Sequence, residues 1–199
     1  RYSLYLSIHP FKGFWDLKHE KKGNPCSAGA ILALVVLSFV LGKQFTGFIF
    51  TAGDSKSFNL WIQIAGVLAP FALWCISNWC ITTLVDGEGR LVDIFMASAY
   101  ALIPLVLTNI PAIVFSRLLS QEEAGIYTVF GVIGILWTAF LFVTGIMTIH
   151  QFTMGKTIVT ILIAFAGMLV IVFLSVLFLA LIQQVVNFIS LLANEISMR

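Results

Sequence analysis

Residues 157–182 read TIVTILIAFAGMLVIVFLSVLFLALI and contain no charged side chain. An apolar run of about 20 residues is long enough to cross the hydrocarbon core of a bilayer as one α-helix. The rest of the chain is similar, because 60% of its 199 residues are hydrophobic and 10% are charged, whereas about 25% are charged in soluble domains. The composition therefore excludes an ordinary soluble domain and indicates a membrane protein.

Four further apolar stretches precede this one, so the sequence predicts five transmembrane helices. The joints between the stretches are short, and consecutive helices must therefore be antiparallel neighbours. We expect an all-α, polytopic membrane protein in which residues 1–199 form a single domain, a five-helix bundle. The predicted spans cover residues 28–50, 58–85, 92–115, 126–149 and 157–182.

The basic residues are distributed unequally between the two sides of this bundle. Lys and Arg are concentrated in cytoplasmic loops of membrane proteins, so the richer side is predicted to be cytoplasmic and the topology N-in, C-out. Lys43 lies within the first run and should extend to the outer interface. The richer side holds Arg1, Lys12, Lys18, Lys21, Lys22, Arg90 and Lys156, and the other side holds Lys56, Arg117 and Arg199.

The two ends of the chain mix apolar and polar side chains. Residues 1–27 alternate aromatic with basic residues, which is typical of a segment that lies in the membrane interface, here along the cytoplasmic leaflet. Residues 183–199 predict an amphipathic tail on the outer side. Lipids are therefore expected partners, and the candidate membrane-interface residues are Phe11, Lys12, Phe14, Trp15 and Lys18.

Proline and asparagine residues interrupt the apolar pattern of the second and third spans. Pro70, Pro104 and Pro111 each remove a backbone hydrogen bond, so they predict kinks or breaks in their helices. Asn78 and Asn109 are expected to form hydrogen bonds between helices.

Motifs for catalysis, metal binding and nucleotide binding are missing from the sequence. The interiors of the second, fourth and fifth spans carry no Asp, Glu, Lys, Arg or His, which argues against a proton relay or an ion-coupled carrier. The three histidines are far apart, and no HxxxH, CxxC, HExxH or GxxxxGK[ST] pattern occurs. We therefore expect no enzymatic activity, no cofactor, no metal site and no nucleic-acid partner.

The densest polar cluster between spans is the loop DGEGR at residues 86–90, followed by Asp93. Two glycines permit a tight turn, and Asp93 can help to begin the next helix. A plain structural turn is one interpretation of the loop. A short, stiff cytoplasmic loop that meets a soluble partner is the other. The candidate partner-contact residues are Asp86, Glu88, Arg90, Asp93 and His150.

Several short motifs, spread over nearly the whole chain, resemble the Yip (Ypt/Rab-interacting protein) membrane family, in particular its bacterial branch. The family also has five spans, and the resemblance implies a non-enzymatic membrane adaptor. Bacterial relatives of this type tend to accompany binding-protein-dependent sugar importers, which implies permease and ATPase subunits of an ABC importer as partners. The motifs are HPFKGFWDLK at 9–18, NW at 78–79, TTL at 82–84, DGEG at 86–89, YALIP at 100–104 and HQF at 150–152.

Three functions stay open from the sequence. The first is an accessory or scaffold subunit of a carbohydrate ABC importer in the bacterial cytoplasmic membrane. The second is a free-standing membrane-organising or trafficking-like protein that acts on the bilayer through its aromatic N-terminal segment. The third is a small transporter, which could carry only a neutral solute because its spans lack charge.

Overall fold

The computed structural model of the protein describes residues 2–20, 22–45, 59–116 and 124–197. In these ranges all the regular secondary structure is α-helical. The helices, in chain order, are α1 (Tyr2–Ile8), α2 (Pro10–His19), α3 (Pro25–Phe45), α4 (Leu60–Leu84), α5 (Leu91–Ala101), α6 (Ile103–Ser116), α7 (Ala124–His150) and α8 (Met154–Ser197).

Five helical stretches are long and apolar enough to cross a membrane. The chain is therefore an all-α, multi-pass membrane protein, as the sequence predicts. The predicted end of the first span and start of the second lie outside the described residues, and so do Arg1, Lys21, Lys56, Arg117 and Arg199. The five stretches are Pro25–Phe45, Leu60–Leu84, Leu91–Ser116, Tyr127–His150 and Met154–Leu191.

The third span consists of two helices, α5 and α6, that meet at Leu102. Pro104 has no backbone N–H and its ring collides with the carbonyl four residues earlier, so an α-helix cannot continue through it undisturbed. The chain makes a tighter turn instead, in which the Leu102 amide donates to the Ala99 carbonyl at 3.2 Å. The expected break is confirmed at Pro104, whereas Pro70 and Pro111 lie inside continuous helices.

The fifth span differs from its predicted bounds. One continuous helix, α8, runs through the predicted end at residue 182 as far as Ser197, so the tail is not a separate segment. Residues 183–197 contain neither Gly nor Pro, and nothing in their sequence ends a helix. At 44 residues the helix is about 66 Å long, roughly twice the thickness of the hydrocarbon core.

The third span is the centre of the bundle and α8 is its periphery. In the most apolar stretch of each span, 56% of the residues of the third span are buried, but only 6% of the residues of the fifth span are. The fully buried core lies where α5 and α7 meet the N-terminal helices. Its largest apolar side chains are Leu6, Phe14, Leu17, Ile94, Leu141, Ile146 and Ile149.

The N-terminal helices α1 and α2 form a hairpin that packs into the bundle. The Trp137 Nε1–H donates to the Ser7 carbonyl at 3.2 Å, and the ring of Tyr2 meets that of Tyr100 edge to face. Burial raises the pKa of Tyr2 to about 12, so its hydroxyl stays protonated and donates to the Gly13 carbonyl at 2.7 Å. The prediction of a segment lying only along the membrane surface is therefore wrong for the inner face of this hairpin.

The hairpin differs from the predicted surface segment because the two faces of α2 have different surroundings. Phe14 and Leu17 point into the bundle and are 0% and 1% exposed, whereas Phe11 and Trp15 are about half exposed. Gly145 allows the close approach, because a Cβ atom there would lie 3.1 Å from the Phe14 ring. Phe14 therefore contacts protein and not headgroups.

Polar side chains inside the spans mostly bond to their own helix. The Thr82, Thr108 and Thr144 hydroxyls each donate to a carbonyl one turn earlier, which satisfies them without a partner helix. Asn78 and Thr138 are exceptions in the described structure, because neither amide atom of the fully buried Asn78 meets a partner, and nor does the hydroxyl of Thr138. The expected hydrogen bond of Asn78 to another helix is therefore not formed.

Candidate functional site: a loop cluster at one end of the bundle

The loop that joins α4 to α5 starts with a tight helix end. The Thr82 carbonyl accepts from both the Val85 amide, at 3.2 Å, and the Gly87 amide, at 2.8 Å. Asp86, between them, has a φ of 56°, the left-handed conformation that ends many helices and that Asp tolerates better than most residues. The chain therefore reverses within a few residues and holds the Asp86 side chain out toward solvent.

The end of the same loop is fixed by the next helix. The Arg90 amide donates to Asp93 Oδ2 at 3.1 Å, so the carboxylate of Asp93 caps the start of α5. An acidic side chain is also favourable here because the helix N-terminus carries partial positive charge. The prediction that Asp93 begins this helix is confirmed.

His150, the last residue of α7, lies beneath the loop. Its Nδ1 accepts from the Gly89 amide at 3.3 Å, and its ring stacks on Phe152 with 5.3 Å between ring centroids. Lys156 completes the stack, with Nζ 4.2 Å from the centre of the Phe152 ring. His150 is 1% exposed. His150 therefore lies beneath the glycine loop and is not exposed for the partner contact predicted for it; it supports the backbone of that loop.

Lys18 ties the N-terminal hairpin to the loop. Its Nζ lies 2.7 Å from Glu88 Oε2, and the two side chains are 14% and 64% exposed. The Lys18 ammonium holds the pKa of the Glu88 carboxyl below its ordinary value. The sequence places Lys18 among the candidate membrane-interface residues, whereas the structure pairs it with Glu88 of the loop.

We use the name loop cluster for residues 85–93 together with Lys18 and His150. The structure brings Glu88, Asp93 and His150 together in it, and leaves Asp86, Glu88 and Arg90 exposed. Phe11, Lys12 and Trp15 lie apart, on the exposed face of α2. Their contact with lipid stays a prediction.

Two features of the cluster were missed from the sequence. One is the Lys18 ion pair, which joins residues 70 positions apart and leaves no local signal. The other is the use of Gly87 and Gly89 as contact surfaces for the imidazole. A Cβ at Gly87 would lie 2.6 Å from His150 Nδ1, and one at Gly89 would lie 2.6 Å from His150 Cε1. The alternation of glycines is the available signal in the sequence, although by itself it indicates only a turn.

The arrangement is suited to holding a loop still. Glu88 forms an ion pair, Asp93 caps a helix and His150 Nδ1 accepts from backbone, whereas His150 Nε2 is buried without a hydrogen-bond partner in the described structure. Within the described ranges, no group of three or more His, Cys, Asp or Glu side chains lies close enough together to hold a metal ion.

Gly89→Ala is expected to destabilise the cluster by about 1 to 3 kcal/mol, the usual effect of overpacking. The added methyl group would meet both His150 Cε1 and Ile149 Cγ2 at 2.6 Å, so the loop must move away. Thermal unfolding in detergent measures the change. Gly29→Ala is the control, because no atom lies within 4 Å of a Cβ there, and equal destabilisation of the two variants would contradict the packing described.

Comparison with known protein families agrees with this architecture. The model of the Yip1 domain family matches residues 4–192, almost the entire chain. The chain belongs to the Yip1 domain family. The match begins in α1, so the Yip1 domain includes the N-terminal hairpin as well as the five spans. No curated protein gave a significant match to the chain, and no solved structure did.

Proposed function

We propose that the protein is a non-catalytic accessory or scaffold subunit of a bacterial carbohydrate ABC import complex in the cytoplasmic membrane. Its spans pack against the permease subunits, and its loop cluster meets the permease or the ATPase at the cytoplasmic face. The observation that supports this most is the loop cluster itself, a short charged loop fixed from below by His150. Membership of the Yip1 domain family supports the membrane role.

The stiffness of the loop favours binding. A flexible loop loses conformational freedom when a partner orders it, and that loss weakens the complex. Here the Thr82 carbonyl, the Asp93 carboxylate and the His150 ring already fix the backbone on both sides of Glu88. The exposed charges of Asp86 and Arg90 are thus presented in one geometry, which favours selection of a partner with complementary charge.

The membrane surface of the bundle leaves room for permease contacts. Helix α8 is exposed along most of its length, with Leu169, Phe173 and Phe178 each more than 60% exposed. Packing of apolar side chains, rather than exclusion of water, drives association of helices within a bilayer. An extended ridge of this kind is compatible with a neighbouring helix bundle.

Copurification from the native membrane tests the proposal. The tagged protein is extracted in mild detergent, and the proteins recovered with it are identified by mass spectrometry. We expect importer permeases and their ATPase in fixed stoichiometry with the chain. Recovery of the chain alone, or with unrelated proteins, would overturn the proposal.

Two substitutions locate the contact. Asp86→Asn together with Arg90→Gln removes the exposed charges and keeps a residue that tolerates positive φ at position 86. If each of the two charges contributes about 0.5 to 1 kcal/mol, the recovery of partners falls about fivefold to thirtyfold. Lys12→Gln is the matched control, since it removes an exposed charge from α2, away from the loop. Equal losses in both variants would exclude the loop cluster as the contact.

The exposed face of the hairpin favours the second function, a bilayer-organising protein. Leu4, Ile8, Phe11 and Trp15 recur at helical spacing and are each about half exposed or more. If this face acts on lipid, Phe11→Ser with Trp15→Ser should abolish liposome remodelling without unfolding the bundle. Unchanged remodelling would exclude it.

A further inference from the structure

A cleft of about 680 Å³ lies between the helices at the level of the membrane. Its walls come from α3, α4, α6, α7 and α8, and Leu102 contributes at the break between α5 and α6. The lining is almost entirely apolar, with Phe71, Trp74 and Phe142 at its inner end. The volume lies within the range of about 300 to 1,000 Å³ that small-molecule sites occupy.

The cleft spans the depth of one leaflet. On α4 its lining runs from Gln63 to Trp74, and on α3 from Lys43 to Val35. At 1.5 Å per residue these stretches are about 16 Å and 12 Å long, close to half of a hydrocarbon core about 30 Å thick. Both begin at the helix ends remote from the loop cluster, so the cleft belongs to the opposite leaflet.

The polar residues of the cleft are concentrated at its shallow end. Lys43 and Gln63 line the mouth, and Lys43 forms no ion pair with any residue that the structure describes. Thr138 also lines the cleft, on α7, but its hydroxyl oxygen is buried within the protein. A cation at the mouth and apolar walls further in match the order of groups in a phospholipid.

We propose that this cleft binds one anionic phospholipid from the leaflet opposite the loop cluster. The headgroup phosphate meets Lys43, and one acyl chain fills the cleft as far as Trp74. The ammonium group of Lys43 at the mouth complements a phosphate, which an apolar transmembrane helix does not supply. This inference does not depend on the proposed importer partnership.

Native mass spectrometry tests the site. The protein is purified, exchanged into detergent containing equal amounts of phosphatidylglycerol and phosphatidylcholine, and the retained lipid is counted. We expect one tightly retained lipid per chain, predominantly phosphatidylglycerol. Lys43→Gln should reduce the preference for the anionic lipid about fivefold, since one basic residue near anionic lipid contributes about 1 kcal/mol.

A cleft-filling variant supplies the second measurement. Gly66 lines the cleft, and no atom lies within 4 Å of a Cβ at that position, so Gly66→Leu places a side chain in the cleft, and its Cβ atom displaces no neighbouring atom. Retention should fall at least tenfold. Gly131→Leu is the matched control, because a Cβ there is equally unobstructed and Gly131 does not line the cleft.

Three results would overturn the proposal. Equal retention in Gly66→Leu and Gly131→Leu would show that the lipid lies elsewhere. An unchanged headgroup preference in Lys43→Gln would show that Lys43 does not contact the headgroup. A cysteine introduced at Ala139, inside the cleft, that cross-links to a second copy of the chain or to another subunit would assign the cleft to a protein helix instead.

Discussion

Phe14→Ala is expected to release the N-terminal hairpin from the bundle. The Phe14 ring is fully buried and fills the space that Gly145 leaves on α7. Removing a buried phenylalanine side chain commonly costs about 3 to 5 kcal/mol. We expect about 3 kcal/mol, the lower end, because the released segment can still place its remaining aromatic residues in the membrane interface. Limited proteolysis after the lysines of α2 measures the release.

Phe11→Ala is the control for this experiment. It removes the same side chain from the same helix only three residues away, but Phe11 is 52% exposed. An exposed substitution of this kind usually changes stability by less than about 0.5 kcal/mol, so cleavage should stay slow. Cleavage that increases equally in both variants would mean that the hairpin is held by the membrane and not by α7.

His150→Ala is expected to free the loop cluster. The Gly89 amide loses its acceptor, and both loop glycines lose the ring on which they pack. The lost hydrogen bond and the cavity together cost about 3 kcal/mol. Hydrogen exchange at residues 86–90 should therefore become about a hundredfold faster. In the proposed complex the same variant should bind its partner more weakly, although His150 itself is buried beneath the loop.

Two further variants separate the contributions of His150. His150→Phe keeps an aromatic ring but removes the acceptor, so exchange should increase by about tenfold and not a hundredfold. His19→Ala removes an exposed imidazole on α2 and should leave exchange in the loop unchanged. If His150→Ala also leaves it unchanged, the loop is held by Thr82 and Asp93 alone.

Composition and hydropathy were sufficient to predict the architecture, an all-α membrane protein with five spans. Whether a helix crosses a membrane depends on the length of an apolar run, and a run such as residues 157–182 carries that information locally. The break at Pro104 could be predicted for the same reason, since the missing N–H is a property of one residue. The cap at Asp93 likewise depends on a side chain and a backbone amide three positions apart.

Side chains that meet across the bundle could not be predicted in this way. Phe, Leu and Ile suit lipid and protein equally, so the pattern of α2 did not show that Phe14 faces α7 while Phe11 faces outward. The helix of the fifth span is also longer than the predicted span, because polar residues such as Gln183 lower the hydropathy without ending a helix.

The sequence by itself determined that this protein is a five-span, all-α membrane protein of the Yip1 domain family with a charged loop between its second and third spans. Those properties depend on short stretches of chain and on motifs read in order. Only the tertiary structure decided that Lys18 pairs with Glu88, that His150 lies beneath Gly87 and Gly89, and that five helices line an apolar cleft. Each of these depends on distances between residues far apart in the chain, which packing of the helices sets.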